Sequence, residues 1–230
     1  MLKPEYKPKS IRSYVIRNGR LTEAQKKAFN DGWESYGLSL FSGRLDQKQV
    51  FGRSAPLVVE VGFGSGDSLL KMAVENPEVD FLGIEVYVSG VGQLVNNSLK
   101  KGVRNLRIYM ADAVDVLQEC LLDNSITRFQ LFFPDPWHKK KHHKRRIVQP
   151  HFVDIIRRKL ILGGICHFAT DWQDYADEMM SIMTTANGFS NQAGGYNFSP
   201  KPYYRPETKF EQRGERLGHG VKDLIFKRTV

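Results

Sequence analysis

The chain has 230 residues, 41% of them hydrophobic, with 20 Gly, 10 Pro and a net charge of +9. That suffices for one sizeable α/β core. No apolar run approaches the roughly 18 residues of a membrane span, and the Lys/Pro-rich start, residues 1–10, has no apolar segment behind it, which excludes a secretory signal.

Residues 1–56 read as a basic arm and helix. Positions 1–30 hold eight Lys/Arg against Glu5 and Glu23, a local +6, and Thr22 is placed to cap a short polar helix opening Glu23-Ala24-Gln25-Lys26-Lys27. A loop rich in Gly, Ser and charge, Ser42 to Pro56, leads into the first strand, Leu57–Val61. From there strands and helices alternate. Strands are predicted at 80–86, 105–110, 128–133 and 164–169, and helices at 67–75, 89–101, 113–122, 149–159 and 172–186. Apolar runs such as Leu131-Phe132-Phe133 predict burial on both faces. The expected fold is therefore a doubly wound, mostly parallel α/β sheet of Rossmann-like type with helices on both faces, residues 57–230 forming one globular unit with the arm. Tyr175, Met179, Ile182 and Met183 form an ordinary core stripe. Residues 199–220 read as a long polar loop, and 221–228 as a last strand. Cys120 and Cys166 lie in apolar surroundings and predict small core residues, with no disulfide framework, which points to a reducing cytoplasm.

The first strand ends in Gly62-Phe63-Gly64-Ser65-Gly66. This Gly-x-Gly-x-Gly spacing lets a ligand approach the backbone but departs from the dinucleotide Gly-x-Gly-x-x-Gly, which disfavours an NAD-dependent oxidoreductase. Glu60, just inside the strand, would repel a pyrophosphate but suits an ammonium group. Glu85 ends the second strand, where it can accept from ribose hydroxyls, and Asp112 follows the third, where it can accept from an adenine amine. Together they describe a site for a nucleoside with an amino-acid tail, S-adenosylmethionine. The pattern over 57–170 resembles class I methyltransferases.

The fourth strand runs into Pro134-Asp135-Pro136-Trp137-His138, then Lys139-Lys140-Lys141-His142-His143-Lys144-Arg145-Arg146. By the expected topology Asp135 faces the methyl group of the cofactor. The two prolines stiffen the turn, and Trp137 can stack on a base or pack the loop. Residues 139–159 sum to +8, so outside the two basic clusters the chain is at −5. A slightly acidic body with two basic patches fits a polyanion, and Lys140, Lys141, Lys144, Arg145 and Arg146 are expected to hold RNA phosphates. The same run would also serve as a nuclear import signal. His138, His142, His143 and His151 lack Cys and carboxylate partners and sit among lysines, so no metal is expected.

Arg12-Ser13-Tyr14, Gly19-Arg20-Leu21-Thr22, Phe133-Pro134-Asp135-Pro136-Trp137 with Lys139 and Lys141, Thr170-Asp171, and Thr208-Lys209-Phe210-Glu211 with Arg213-Gly214 resemble the signatures of the tRNA (guanine-N7-)-methyltransferases, over about 12–228. The loop looks like the bacterial, single-subunit type. The resemblance implies methylation of N7 of guanosine 46 in the tRNA variable loop. It implies that Glu60, Gly62, Gly64, Gly66, Glu85, Asp112 and Ala113 bind the cofactor and that Asp135 is catalytic. Lys139, Asp171, Thr208, Lys209, Phe210 and Glu211 would contact substrate. It implies tRNA as partner, no obligate protein partner, no membrane, and a monomer or homodimer. The residues before Arg12 match no signature. The competing readings are a methyltransferase acting on an exocyclic amine of RNA, and a non-catalytic RNA-binding module on a degenerate cofactor fold.

Overall fold

The computed structural model describes residues 4–5, 11–15, 21–207, 211 and 220–230. They fall into two compact units: Pro4, Glu5 and 21–122 in the first, 11–15 and the described residues from 123 onward in the second.

The first unit opens with α1 (Glu23–Tyr36), started by a capping box. Thr22 Oγ1 accepts from the Gln25 amide at 3.2 Å, and Gln25 Oε1 accepts from the Thr22 amide at 2.9 Å. The helix runs 14 residues, longer than its polar start suggests, because Ala28, Phe29, Gly32 and Tyr36 bury one face of it. There follow β1 (Gly37–Leu38), a 3-10 turn (Leu40–Ser42) and α2 (Gln47–Phe51). This last helix lies where sequence suggests only loop; the Asp46 side chain caps it by accepting from the Gln49 amide. Then come β2 (Leu57–Val61), α3 (Asp67–Glu75), β3 (Asp80–Ile84), α4 (Val88–Lys101), β4 (Leu106–Tyr109) and α5 (Ala113–Glu119). The four strands are all parallel, in the order β1-β4-β3-β2. Val58, Phe81, Leu106 and Ile108 share a core with Phe29 of α1, Leu69 of α3 and Leu94 of α4. Val59, Leu82, Ile84 and Tyr109, one pleat step away, are buried on the opposite face. This two-sided burial is what a parallel sheet requires and what the unbroken apolar runs predict.

The second unit contains β5 (Ile126–Phe132), α6 (Pro150–Lys159), β6 (Leu160–Thr170), α7 (Gln173–Thr185), β7 (Phe189–Asn191) and β8 (Lys222–Arg228). β6 pairs parallel with β5 and antiparallel with β8, which pairs antiparallel with β7. β6 starts four residues earlier than expected. The extra residues are absorbed by a register shift, Ile126 opposing Leu160 while Arg128 opposes Ile165. Phe129 meets Phe152 and Phe168 edge-on, with ring centroids 6.0 and 6.4 Å apart. Burying each such ring contributes about 1.5–3 kcal/mol. Of the predicted core stripe, Tyr175, Met179 and Met183 are buried, while Ile182 is only half-buried.

Cys120 and Cys166 are buried and unbridged, and burial pushes both thiols up, so they stay protonated. No helix among the described residues is long and apolar enough to cross a membrane.

Candidate active site

In the first unit the three acidic residues come together at the carboxyl ends of adjacent parallel strands. Val61 of β2 is level with Ile84 of β3, and Ile84 with Tyr109 of β4. Glu60, Glu85 and Asp112 therefore lie within one to three residues of a single sheet edge, all buried. Glu85 is fixed by three backbone amides: its Oε2 accepts from Gly64 at 2.9 Å, its Oε1 from Val86 at 2.6 Å and Tyr87 at 2.9 Å. One carboxylate thus ties the end of β3 to the glycine turn. Asp112 caps α5, accepting from the Val114 amide at 2.9 Å, and Ala113 opens that helix. The Asp112 amide donates to the Glu5 carbonyl at 3.1 Å and the Glu5 amide to the Met110 carbonyl at 2.8 Å, so the arm residue Glu5 is laid against the end of β4. Sequence gives no signal for this contact.

Gly62, Gly64 and Gly66 all have positive φ, at 72°, 57° and 74°. The loop in turn demands a glycine at position 90: a Cβ on Gly90 of α4 would lie 2.0 Å from the Gly64 carbonyl oxygen, so only glycine lets the first turn of α4 close on the loop. Gly90 is a site residue that sequence reading missed. Among the described residues, a Cβ added at Gly62 or Gly64 would meet nothing within 4 Å beyond its chain neighbours, which leaves room for a ligand to approach the backbone. An open, positive-φ turn beside three buried carboxylates fits S-adenosylmethionine: Glu60 for the ammonium, Glu85 for the ribose hydroxyls, Asp112 for the adenine amine.

In the second unit, β5 and β6 pair through Phe132 and Ala169, so Asp135 and Asp171 both follow the carboxyl ends of neighbouring parallel strands. The two loops touch where His138 meets Trp172, ring centroids 4.2 Å apart. Phe133 and Trp137, which bracket Pro134-Asp135-Pro136, both have positive φ, at 52° and 48°. Each such L-residue costs about 1–2 kcal/mol, so the surroundings must hold the loop in shape. They do so at several points. The Phe133 amide donates to the Ala169 carbonyl at 2.7 Å, Trp137 Nε1 donates to the Ser13 carbonyl at 3.1 Å, and Arg145 stacks on the indole at 4.3 Å while its Nε donates to the Arg12 carbonyl at 3.1 Å. Trp137 packs the loop and fastens residues 12–13 to it. Asp135 itself is exposed.

The basic run winds into a 3-10 stretch, Lys140–Arg145, begun by the His142 amide donating to the Lys139 carbonyl. Lys139, Lys140, Lys141 and Lys144 are exposed and Arg145 half-buried. Arg146 corrects the expectation for this run. It is 2% exposed and ion-paired to Asp174 and Glu178 of α7, so it is not available to a phosphate. A charge run reads as solvated unless its partners are known, and these lie 28 and 32 residues downstream.

Glu211 is also engaged within the protein. Arg205 forks onto it, with Nη1 and Nη2 at 2.8 and 2.9 Å, and onto Asp223 of β8 through Nε and Nη2 at 2.7 and 2.9 Å. Lys201 reaches Glu211 at 3.0 Å, and His167 Nε2 lies 2.7 Å from Asp223. Burial pushes the Glu211 carboxyl up, but hydrogen bonds from Arg205 and Lys201 outweigh it and leave it below its ordinary value. Thr208, Lys209 and Phe210, with Arg213-Gly214 and Gly19-Arg20, lie outside the described residues.

A family model described as "Putative methyltransferase" matches residues 54–224. The chain is 61% identical, over 229 residues and all of both chains, to the tRNA (guanine-N(7)-)-methyltransferase of Saccharophagus degradans. Among solved structures it resembles the 30S ribosomal A1408 methyltransferase of an uncultured bacterium, with TM-score 0.56 and 16% identity over 81% of this chain and 95% of that one. It also resembles the 16S rRNA (adenine(1408)-N(1))-methyltransferase of Catenulisporales acidiphilia, solved with S-adenosylmethionine, with TM-score 0.53 and 13% identity over 81% and 92%. These two likenesses show the fold to be the doubly wound, mostly parallel sheet of class I methyltransferases. The match in sequence is of another order, end to end and well above half identical. By it, the chain belongs to the tRNA (guanine-N(7)-)-methyltransferase family.

Proposed function

We propose that this chain methylates N7 of guanosine 46 in the variable loop of tRNA, with residues 57–230 as the catalytic domain and 1–56 as a basic arm. The methyl donor is supported by the three buried carboxylates on successive strand ends, one lashed to an open glycine turn, and the tRNA guanine by the end-to-end sequence match. S-adenosylmethionine supplies the methyl group, which passes to the N7 lone pair as its bond to sulfur breaks and the positive charge moves to the guanine. N7 bears no proton, so no residue has to act as a base and no cysteine as a nucleophile. That agrees with two buried, protonated thiols. Glu60, Glu85, Asp112 and the backbone of Gly62, Gly64, Gly66 and Ala113 hold the methyl donor. Asp135 accepts from guanine N1–H and N2–H₂, which orients the base and stabilises the charge it acquires. Lys139, Asp171 and residues 208–210 contact the nucleotide, and Lys140, Lys141, Lys144 and Arg145 the phosphates; Glu211, buried and held by Arg205 and Lys201, is left out of that set. The protein works in the cytoplasm on tRNA, as a monomer or homodimer with no obligate partner.

The test supplies methyl-labelled cofactor with bulk tRNA and with one transcript in two forms, guanosine or adenosine at position 46. Label in 7-methylguanosine, lost with the adenosine form, is the expected result. Label on an exocyclic amine would replace this reading with the competing one.

Two further outcomes follow. Glu60→Gln removes the charge opposite an ammonium, a bond worth about 1.5–3 kcal/mol, so cofactor affinity should fall roughly ten- to hundredfold. Titration calorimetry reads this, with tRNA affinity as the unchanged control. Converting Lys139, Lys140 and Lys141 to Gln should lower the slope of log affinity for tRNA against log salt by about 2–3. An unchanged slope would remove these lysines from the RNA surface.

A further inference from the structure

Arg146 ends the basic run yet turns inward, and its guanidinium joins two elements. Nε donates to the Pro136 carbonyl at 2.8 Å, Nη2 to Asp174 at 2.5 Å, and Nη1 to Glu178. The guanidinium carbon lies 4.8 Å from the ring centre of Tyr175, whose hydroxyl accepts from the Val148 amide at 3.2 Å. The carbonyl it holds belongs to the residue between Asp135 and Trp137, in a loop bracketed by two positive-φ aromatics.

We infer that Arg146 is a positioning residue, which fixes Asp135 by tying the Pro136 carbonyl to α7 and takes no part in holding RNA. The inference rests on the reading of Asp135 given above. The chemistry is specific to arginine. A donor on the side of the stem, Nε, serves the loop while the two terminal nitrogens serve α7, and a lysine ammonium offers no such pair of directions. Charge alone therefore cannot replace it. Both carboxylates keep some contact with solvent, with side chains 63% and 28% exposed, so losing the arginine leaves no fully buried charge and the fold should survive.

The experiment compares Arg146→Lys, Arg146→Met and the pair Asp174→Asn with Glu178→Gln, all in the full chain. It measures turnover, KM for tRNA, cofactor affinity and the salt dependence of tRNA affinity. All three should lose turnover by about a hundredfold, the scale of a misplaced reacting group. The salt slope and cofactor affinity should stay at the parent values. Rescue by Arg146→Lys, or a slope lowered by about one phosphate, would overturn the inference. So would full turnover in the Asp174/Glu178 pair, which keeps every RNA-facing charge; Arg146→Lys, which keeps a charge beside both carboxylates, tests the idea even if the other variants fail to fold. Combining Arg146→Met with Asp135→Ala separates the two claims. If Arg146 acts through Asp135, the double variant is no slower than Asp135→Ala. If Asp135→Ala alone keeps its turnover, the reading of Asp135 fails, while a loss confined to Arg146→Met would show that the loop is positioned for some other group.

Discussion

Asp135→Ala should cut turnover by about 10²–10³-fold, the usual effect of deleting one group that stabilises transition-state charge in a fixed site. Cofactor affinity should stay within a few-fold, because the proposed reading gives Asp135 the guanine and gives the methyl donor to Glu60, Glu85, Asp112 and the glycine turn. The size of the loss follows from the chemistry of N7. With no proton to remove, the proposed reading leaves the carboxylate two tasks, turning the base and offsetting the positive charge that builds on it. Asp135→Asn separates them. The amide keeps an acceptor oxygen for one guanine donor but loses the charge, so its turnover should fall between the alanine variant and the parent. Single-turnover rates at saturating cofactor, read beside equilibrium cofactor binding, decide the matter. A wholesale loss of cofactor binding in Asp135→Ala would move the residue to the other site.

The parts of this protein that sequence made legible are those encoded by neighbours. β2 was bounded correctly at both ends because an apolar run is flanked by Pro56 and Gly62. Glu60, Glu85 and Asp112 stood out because successive parallel strands bring their ends to one edge. Thr22 announced α1 as its N-cap, although the helix extent depended on tertiary burial of Phe29 and Tyr36. What stayed hidden depends on residues far apart in the chain. β1 is two residues long and exists only by pairing with β4. Arg146 is indistinguishable from Arg145 in the sequence, yet one is clamped beneath the loop and the other stacks on Trp137. Pro134-Asp135-Pro136 was visible as a stiff turn, but the positive φ of Phe133 and Trp137 was not, since aromatic residues carry no local signal for it.

Arg205→Met should destabilise the second unit more than any single surface change. Its side chain is fully buried, and it is the shared partner of two carboxylates that are themselves 3% exposed. Removing one partner of a buried ion pair costs about 3–5 kcal/mol, because the remaining charges keep their burial and lose their compensation. For a chain of this size that is a fall in melting temperature of roughly 6–20 °C. The pH dependence identifies the cause. In the parent, burial pushes Asp223 up, but hydrogen bonds from His167 and Arg205 and the arginine charge outweigh it, and Glu211 is likewise depressed by Arg205 and Lys201. A carboxyl depressed in the fold adds stability above its unfolded pKa and loses it as pH falls through the folded value. His167 is lowered from 6.5, by burial first and by Arg205 and Arg128, against the opposing pull of Asp223. The neutral ring therefore stabilises the fold above pH 6.5, and that contribution shrinks as pH falls below it. The parent should thus weaken steadily from pH 6.5 downward. In Arg205→Met the burial of Asp223 and Glu211 loses its main opponent, so both carboxyls rise, and acid relieves the variant by protonating them. The gap between variant and parent should be widest at pH 7–8 and narrow at pH 5, as read by thermal melts at the two pH values. A gap of constant size would mean that lost packing against Phe132 and Phe133, whose rings lie 6.0 Å from the guanidinium, explains the effect and the ion pairs do not.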